Sequence, residues 1–218
     1  MRIGIELNHV IRDINSQMLK YYVKDFDKKF DSSNIDMSNT NFIDSLGFKT
    51  KKAKNNFMYI DYPYEIFGCA KTVGRHTSLL LNEWLDTLDN KGLNGEDVSL
   101  FSLKETALTI QSSFYFLSKI GCRVRNIFFP KDGKSVWDKY DVVITTDERI
   151  VKSKPNNKSV VLIETSDNKH LSEKCDLTYE SFEEIISDEA FIPFLKMENN
   201  NTSLFGELVS KIKKVFKR

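Results

Sequence analysis

Short apolar runs rich in β-branched residues alternate with stretches of helical spacing along most of the chain, and their order predicts the fold. Arg2 to Leu7 reads as a buried strand, and Val10 to Phe30 follows with Ile11, Ile14, Met18, Tyr22 and Phe26 at helical intervals. Val98 to Phe101, Val124 to Phe129, Asp141 to Thr145 and Ser159 to Ile163 read as further strands. Runs of this kind suit a parallel sheet covered on both faces. Ala107, Ile110, Phe114 and Leu117 mark one face of an intervening helix that Gly121 can cap. The fold class predicted is therefore α/β, a doubly wound parallel-sheet (Rossmannoid) core. From Asp31 to Gly95 the pattern is irregular, with a helix over Thr77 to Leu88, which predicts an inserted helical subdomain. The expected organisation is 1–30 and 96–190 as core, 31–95 as insertion, and 191–218 as linker and C-terminal helix.

That last segment has its own pattern. Glu198 to Ser203 reads as a polar hinge and helix start, after which Leu204, Phe205, Leu208, Val209, Ile212, Val215 and Phe216 fall at helical spacing. Lys211, Lys213, Lys214, Lys217 and Arg218 occupy the other side and suit the negative end of the helix dipole. A lone helix of this length is marginal in water, so its stripe needs a surface. Three remain open: the chain's own core, a partner protein, or an anionic membrane. The stripe from Leu204 to Phe216 or the aromatic stretch around Phe57 to Phe67 is expected to form part of the contact with other subunits.

Composition narrows the picture. A chain of 218 residues with 40% hydrophobic positions can bury a core, which excludes disorder. Thirty-two Lys+Arg against 31 Asp+Glu leave a net charge of +1, so no general field gathers nucleic acid or membrane, and no specific nucleic-acid partner is expected. Cys69, Cys122 and Cys175 lie far apart without a CxxC pair, and His9, His76 and His170 are as scattered, so neither a disulfide framework nor a metal cluster is expected. No run reaches the roughly 20 apolar residues of a membrane span, and Met1 to Asn8 lacks the polarity of a secretory signal, so a soluble protein made in the cytoplasm is expected. Tyr59, Tyr62 and Tyr64 beside Lys49, Lys51, Lys52 and Lys54 read better as a packed subdomain with a basic edge than as a single-strand binding platform. Gly133-Lys134-Ser135 is no P-loop, because Phe128 stands at the first glycine position and Pro130 interrupts the loop.

In an open α/β sheet, ligands sit beyond the carboxyl ends of the strands. Those positions are Glu6 to Asn8, Ser99 to Ser102, Thr145 to Asp147 and Glu164 to Asp167. There, over about residues 1 to 190, the chain resembles the haloacid dehalogenase-like (HAD) phosphohydrolases, particularly their 5′-nucleotidase-like branch. The resemblance implies a HAD-like core with a cap in the insertion. It also implies an Asp-x-Asp pair after the first strand, as nucleophile and general acid/base, where this chain has Glu6-Leu7-Asn8. The phosphate-binding hydroxyl falls on Ser102, or on Ser99, and the lysine that steadies the phosphoryl group on Lys139, or on Lys134. The acidic pair that holds magnesium is replaced by Thr145-Thr146.

Every departure touches the chemistry. Glu6 carries its carboxylate one methylene farther out, and a misplacement of about 1 Å can cost about a hundredfold. Asn8 cannot transfer a proton, which removes a factor of about 10² to 10⁴. Threonine hydroxyls are poor substitutes for carboxylates at magnesium. Asp147 could join Glu6 in a displaced metal site, although capping the next helical turn is its simpler role. The expectation is a degenerate pocket without cofactor or metal, in a structural or assembly protein working with other protein subunits in multiple copies within a larger particle. The alternative is a cytoplasmic magnesium-dependent phosphohydrolase, nucleotidase-like, using Glu6 and Asp147. With 17 Asn and 25 Lys against 7 Arg and 4 Ala, the chain also looks like structural-region proteins of crAss-like bacteriophages. That likeness implies a virion component, a ring or connector of the portal or tail.

Overall fold

Six parallel strands form the sheet: β1 (Ile3–Glu6), β4 (Val98–Phe101), β5 (Asn126–Phe128), β6 (Val142–Thr145), β7 (Ser159–Ile163) and β8 (Leu177–Tyr179), in the order β5-β4-β1-β6-β7-β8. A computed structural model of the chain describes residues 1–33 and 35–200. The predicted α/β class is the observed one, and Val98–Phe101 and Ser159–Ile163 keep their predicted limits. β8 had no clear sequence signal, being three residues paired on one side only.

Side chains alternate between two packed layers. Ile3, Ile5, Val142, Ile144, Val161 and Ile163 meet helices α3 (Thr77–Asn90), α4 (Ala107–Lys119) and α7 (Phe182–Ser187) on one face. Val143, Val160 and Leu162 meet α5 (Gly133–Lys139) and α6 (Glu148–Lys152) on the other. Gly4 belongs to this second side, where a Cβ would stand 2.6 Å from the Tyr140 ring. Only glycine permits that approach.

The helix expected from Val10 begins later, because Arg12–Asp13 forms a short strand, β2, antiparallel to β3 (Lys71–Thr72). Asp13 then caps α1 (Ile14–Asp25) by accepting from the Ser16 amide. Residues 14–70 thus leave and return through one strand pair. They carry a separate apolar cluster of Ile14, Met18, Tyr22, Phe42, Leu46, Phe57, Met58, Ile66 and Phe67. α1, read from the sequence with the core, packs in this cluster, while α3, read with the insertion, packs on the sheet through Leu81, Trp84 and Leu88. The aromatic stretch forms two π-helical turns, Phe57–Asp61 and Tyr64–Gly68, with Phe57 and Phe67 buried and Ile60 and Tyr64 exposed. Phe57, Met58, Ile66 and Phe67 of this stretch belong to the excursion's apolar cluster.

Two helix readings need correction. α4 ends at the predicted Gly121, whose φ is +64°, yet its buried face is Thr109, Ser112, Ser113, Phe116 and Leu117, with Phe114 outside. Small hydroxyl residues win the inward side because the Tyr64–Gly68 turn packs there at close range. Residues 191–200, expected as linker, are helical, with Phe191 and Leu195 buried near Trp84 and Tyr179. The stripe Leu204 to Phe216 lies outside the described residues. The three cysteines are free, and no helix among the described residues is long and apolar enough to cross a membrane.

Candidate functional site

From β1 the chain first builds outward to β4 and β5, then crosses back to β6, β7 and β8, so β1 and β6 flank the point where the order reverses. Ligand crevices of doubly wound sheets open there, beyond the carboxyl ends. A cleft of about 690 Å³ occupies that position, with Glu6, Asn8 and His9 from β1 and the loop after it, Leu103 and Lys104 after β4, and Thr146, Asp147 and Arg149 after β6. Lys51 and Lys54 of α2 (Lys51–Asn56) and Tyr59 close it from the excursion.

Glu6 ends β1 facing the α5/α6 side and is 5% exposed. Its Oε2 accepts from Thr145 Oγ1 at 2.7 Å, the Thr146 amide at 2.8 Å and Thr146 Oγ1 at 3.1 Å. Burial, and then the neighbouring Asp147 charge, push its carboxyl from 4.5 up to about 7, against those hydrogen bonds. Thr145 and Thr146 therefore serve as donors to a carboxylate.

Asn8 belongs to a second network. Its Nδ2 donates to Ser102 Oγ at 3.1 Å, and its Oδ1 accepts from Arg12 Nε at 2.9 Å and Nη2 at 2.6 Å. Ser102 donates onward to Glu105 Oε1 at 2.6 Å. The Arg12 side chain is fully buried and uses all five of its N–H groups, the remaining three going to the Phe67 carbonyl, Ser113 Oγ and Glu105 Oε1. Its guanidinium also lies over the Phe67 and Phe116 rings, 5.1 and 5.5 Å from their centres. This one residue ties the end of β1 to the excursion, the loop after β4 and α4.

Glu6, Asn8, Ser102, Thr145 and Thr146 thus converge as their strand-end positions predict. Ser99, the weaker alternative, lies within β4. Lys139 does not join them: its ammonium sits 4.3 Å over the Phe128 ring and it does not line the cleft, while Lys134 is exposed on α5. Asp147 caps α6 by accepting from the Arg149 amide at 2.8 Å and pairs with the Arg149 guanidinium. Sequence reasoning missed Arg12 and Glu105, whose charges read as surface. It also missed His9, held at φ +65° and pulled down to about 4 by burial, hence neutral at pH 7.

The arrangement is a poor fit for magnesium: Glu6 Oε2 is taken by three donors, which leaves Oε1, Asp147 is engaged by Arg149 and by a helix terminus, and the two threonines present their hydroxyls to Glu6. Among the described residues no group of three or more His, Cys, Asp or Glu could hold a metal ion. The cleft has no cationic excess either, since Lys51, Lys54, Lys104 and Arg149 face Glu6, Asp44, Asp147 and Glu148, and Lys54 pairs with Asp44.

No protein-family model matches the chain, and no curated protein matches it. Among solved structures, one described as "Crystal Structure analysis of a Dehalogenase" is similar at a TM-score of 0.46 and 9% identity, covering 84% of this chain and 94% of that one.

Proposed function

We propose that the chain is a catalytically silent member of the HAD-like superfamily that serves as a component of a protein assembly. The observation that carries this reading is the state of Glu6 and Asn8. Glu6 is committed to three donors and biased towards its protonated form, so it is a weak nucleophile and a weak metal ligand. Asn8 is locked between Arg12 and Ser102 and has no proton to exchange. His9, with its low proton affinity, is a poor replacement base.

The assembly half rests on surface chemistry. Leu108, Phe114 and Tyr115 stand out from α4, Tyr64 lies against Tyr115, and each of the four is about half exposed. Exposed apolar side chains that adjoin one another, unlike scattered ones, suit a protein contact. The virion ring or connector implied by the phage likeness is the assembly we have in view. Purified protein with magnesium is expected to release no phosphate from aryl phosphates or nucleoside monophosphates above background. Turnover that Glu6→Gln abolishes would overturn the silent-pocket reading.

A further inference from the structure

A second recess, of about 290 Å³, opens beyond the carboxyl ends of β7 and β8, at the small end of ligand-pocket sizes. The ends of those strands, the starts of α1 and α7, and the excursion segment at Met37 form its walls. That segment is held in place. Asn15 Nδ2 donates to the Met37 and Asn39 carbonyls at 2.8 and 2.9 Å, and Asp167 accepts from the Thr40 amide at 3.1 Å.

The recess is one-sided in charge. Asp13, Glu164 and Glu180 line it and no lysine or arginine does. Among the described residues none of these three carboxylates is in an ion pair. His9, which lines both this recess and the β1/β6 cleft, is neutral at pH 7 and adds no positive charge. Two helices begin here, yet their capped amides are not offered to an anion: the Ser16 amide donates to Asp13 and the Glu184 amide to Ser181 Oγ. Nor do the carboxylates gather as a metal ion requires, since no group of three or more His, Cys, Asp or Glu among the described residues could hold one. Carboxylates around a wall of Val10, Met37, Ile163 and Phe182 suit an organic cation with an apolar body.

Asn15 points to a ligand independently of charge. It is 2% exposed, its two donor bonds fix the amide, and its Oδ1 accepts no hydrogen bond. Buried acceptors are seldom left so. Of the five such side-chain atoms among the described residues, it alone belongs to a residue that lines either cleft.

We infer that this recess binds the ammonium end of an aliphatic amine, its carbon chain against Val10, Met37, Ile163 and Phe182, its N–H groups facing the carboxylates and supplying the donor that Asn15 Oδ1 lacks. A free amine and the lysine side chain of another protein share that chemistry. The site lies apart from Glu6 and needs no catalysis there.

Titration of the full-length protein with n-butylammonium chloride at constant salt, followed through amide chemical shifts, tests the site. Saturable shifts at Asn15, Glu164 and Phe182 are expected, with none from 1-butanol or butyrate at the same concentration. Glu164→Gln with Glu180→Gln keeps the shape and the acceptor for Ser172, and should weaken the amine about tenfold or more, as the loss of a charged hydrogen bond does. Unchanged shifts elsewhere in the spectrum check its fold. N-acetyl-lysinamide separates the sources: binding as tight as that of butylammonium supports the site with a protein lysine as its occupant, and exclusion supports it with a free amine. Butanol binding as tightly as the amine, an amine isotherm unmoved by the double variant, or no saturation by butylammonium overturns the inference, and each leaves the silent-pocket reading untouched.

Discussion

Replacing Arg12 by alanine is expected to destabilise the fold by about 3–5 kcal/mol, the range for breaking a buried ion pair from one side. The Arg12 and Glu105 side chains are 0% and 1% exposed, and Glu105 Oε2 already has no hydrogen-bond partner. Losing the guanidinium leaves a buried carboxylate with no counter-charge, and it also frees the Asn8 Oδ1, Ser113 and Phe67 carbonyl contacts together. Removing both charges should cost much less than the sum of the two single changes, because no unpaired charge then remains. Arg12→Met with Glu105→Leu supplies that comparison. Denaturant unfolding of the singles and the double checks both statements, and a near-neutral Arg12→Ala would show that the network is not what joins the excursion to the sheet.

The second large effect is a dependence on pH. Glu6 titrates near 4.5 when unfolded and near 7 when folded, burial being the main cause. Between those values the native state binds more protons than the unfolded one, so stability is fully present below the lower value and is lost as pH rises through the upper one. A displacement of this size corresponds to at most about 3 kcal/mol. Glu6→Gln keeps the shape and an acceptor for Thr145 and Thr146 but cannot ionise. Relative to the parent, the variant should gain stability steadily across that window and hold the gain at higher pH. Unfolding free energies of the two proteins measured at several pH values give the difference, and a flat difference would mean that Glu6 is an ordinary ionised carboxylate.

Much of the fold was legible because strands buried on both faces have no alternation to hide behind. Val142 to Thr145 and Ser159 to Ile163 can be little else, and the ends of β1 and β6 bring Glu6, Asn8 and Thr146 to one crevice, with Thr145 and Ser102 buried behind them. What was not legible follows from physics that periodicity does not encode. β8 is short and half solvated. On α4, Ser112 meets its own hydrogen-bonding need through the Leu108 carbonyl, so a residue that reads as polar fits an inward face where a large side chain would not. Arg12 carries no sign of burial in the sequence because three of its five hydrogen bonds go to partners 55 to 101 residues away. The small mark it left was a charged pair, Arg12-Asp13, interrupting an apolar stretch, and that pair proved to be the root of the excursion.

The silent pocket can be tested without choosing a substrate. Calorimetric titration of the parent with magnesium should give no saturable heat at millimolar metal, and the trace should match that of Glu6→Gln. A saturable isotherm abolished by Glu6→Gln and again by Asp147→Asn would show that these two carboxylates hold a metal after all, and would contradict the account at its centre.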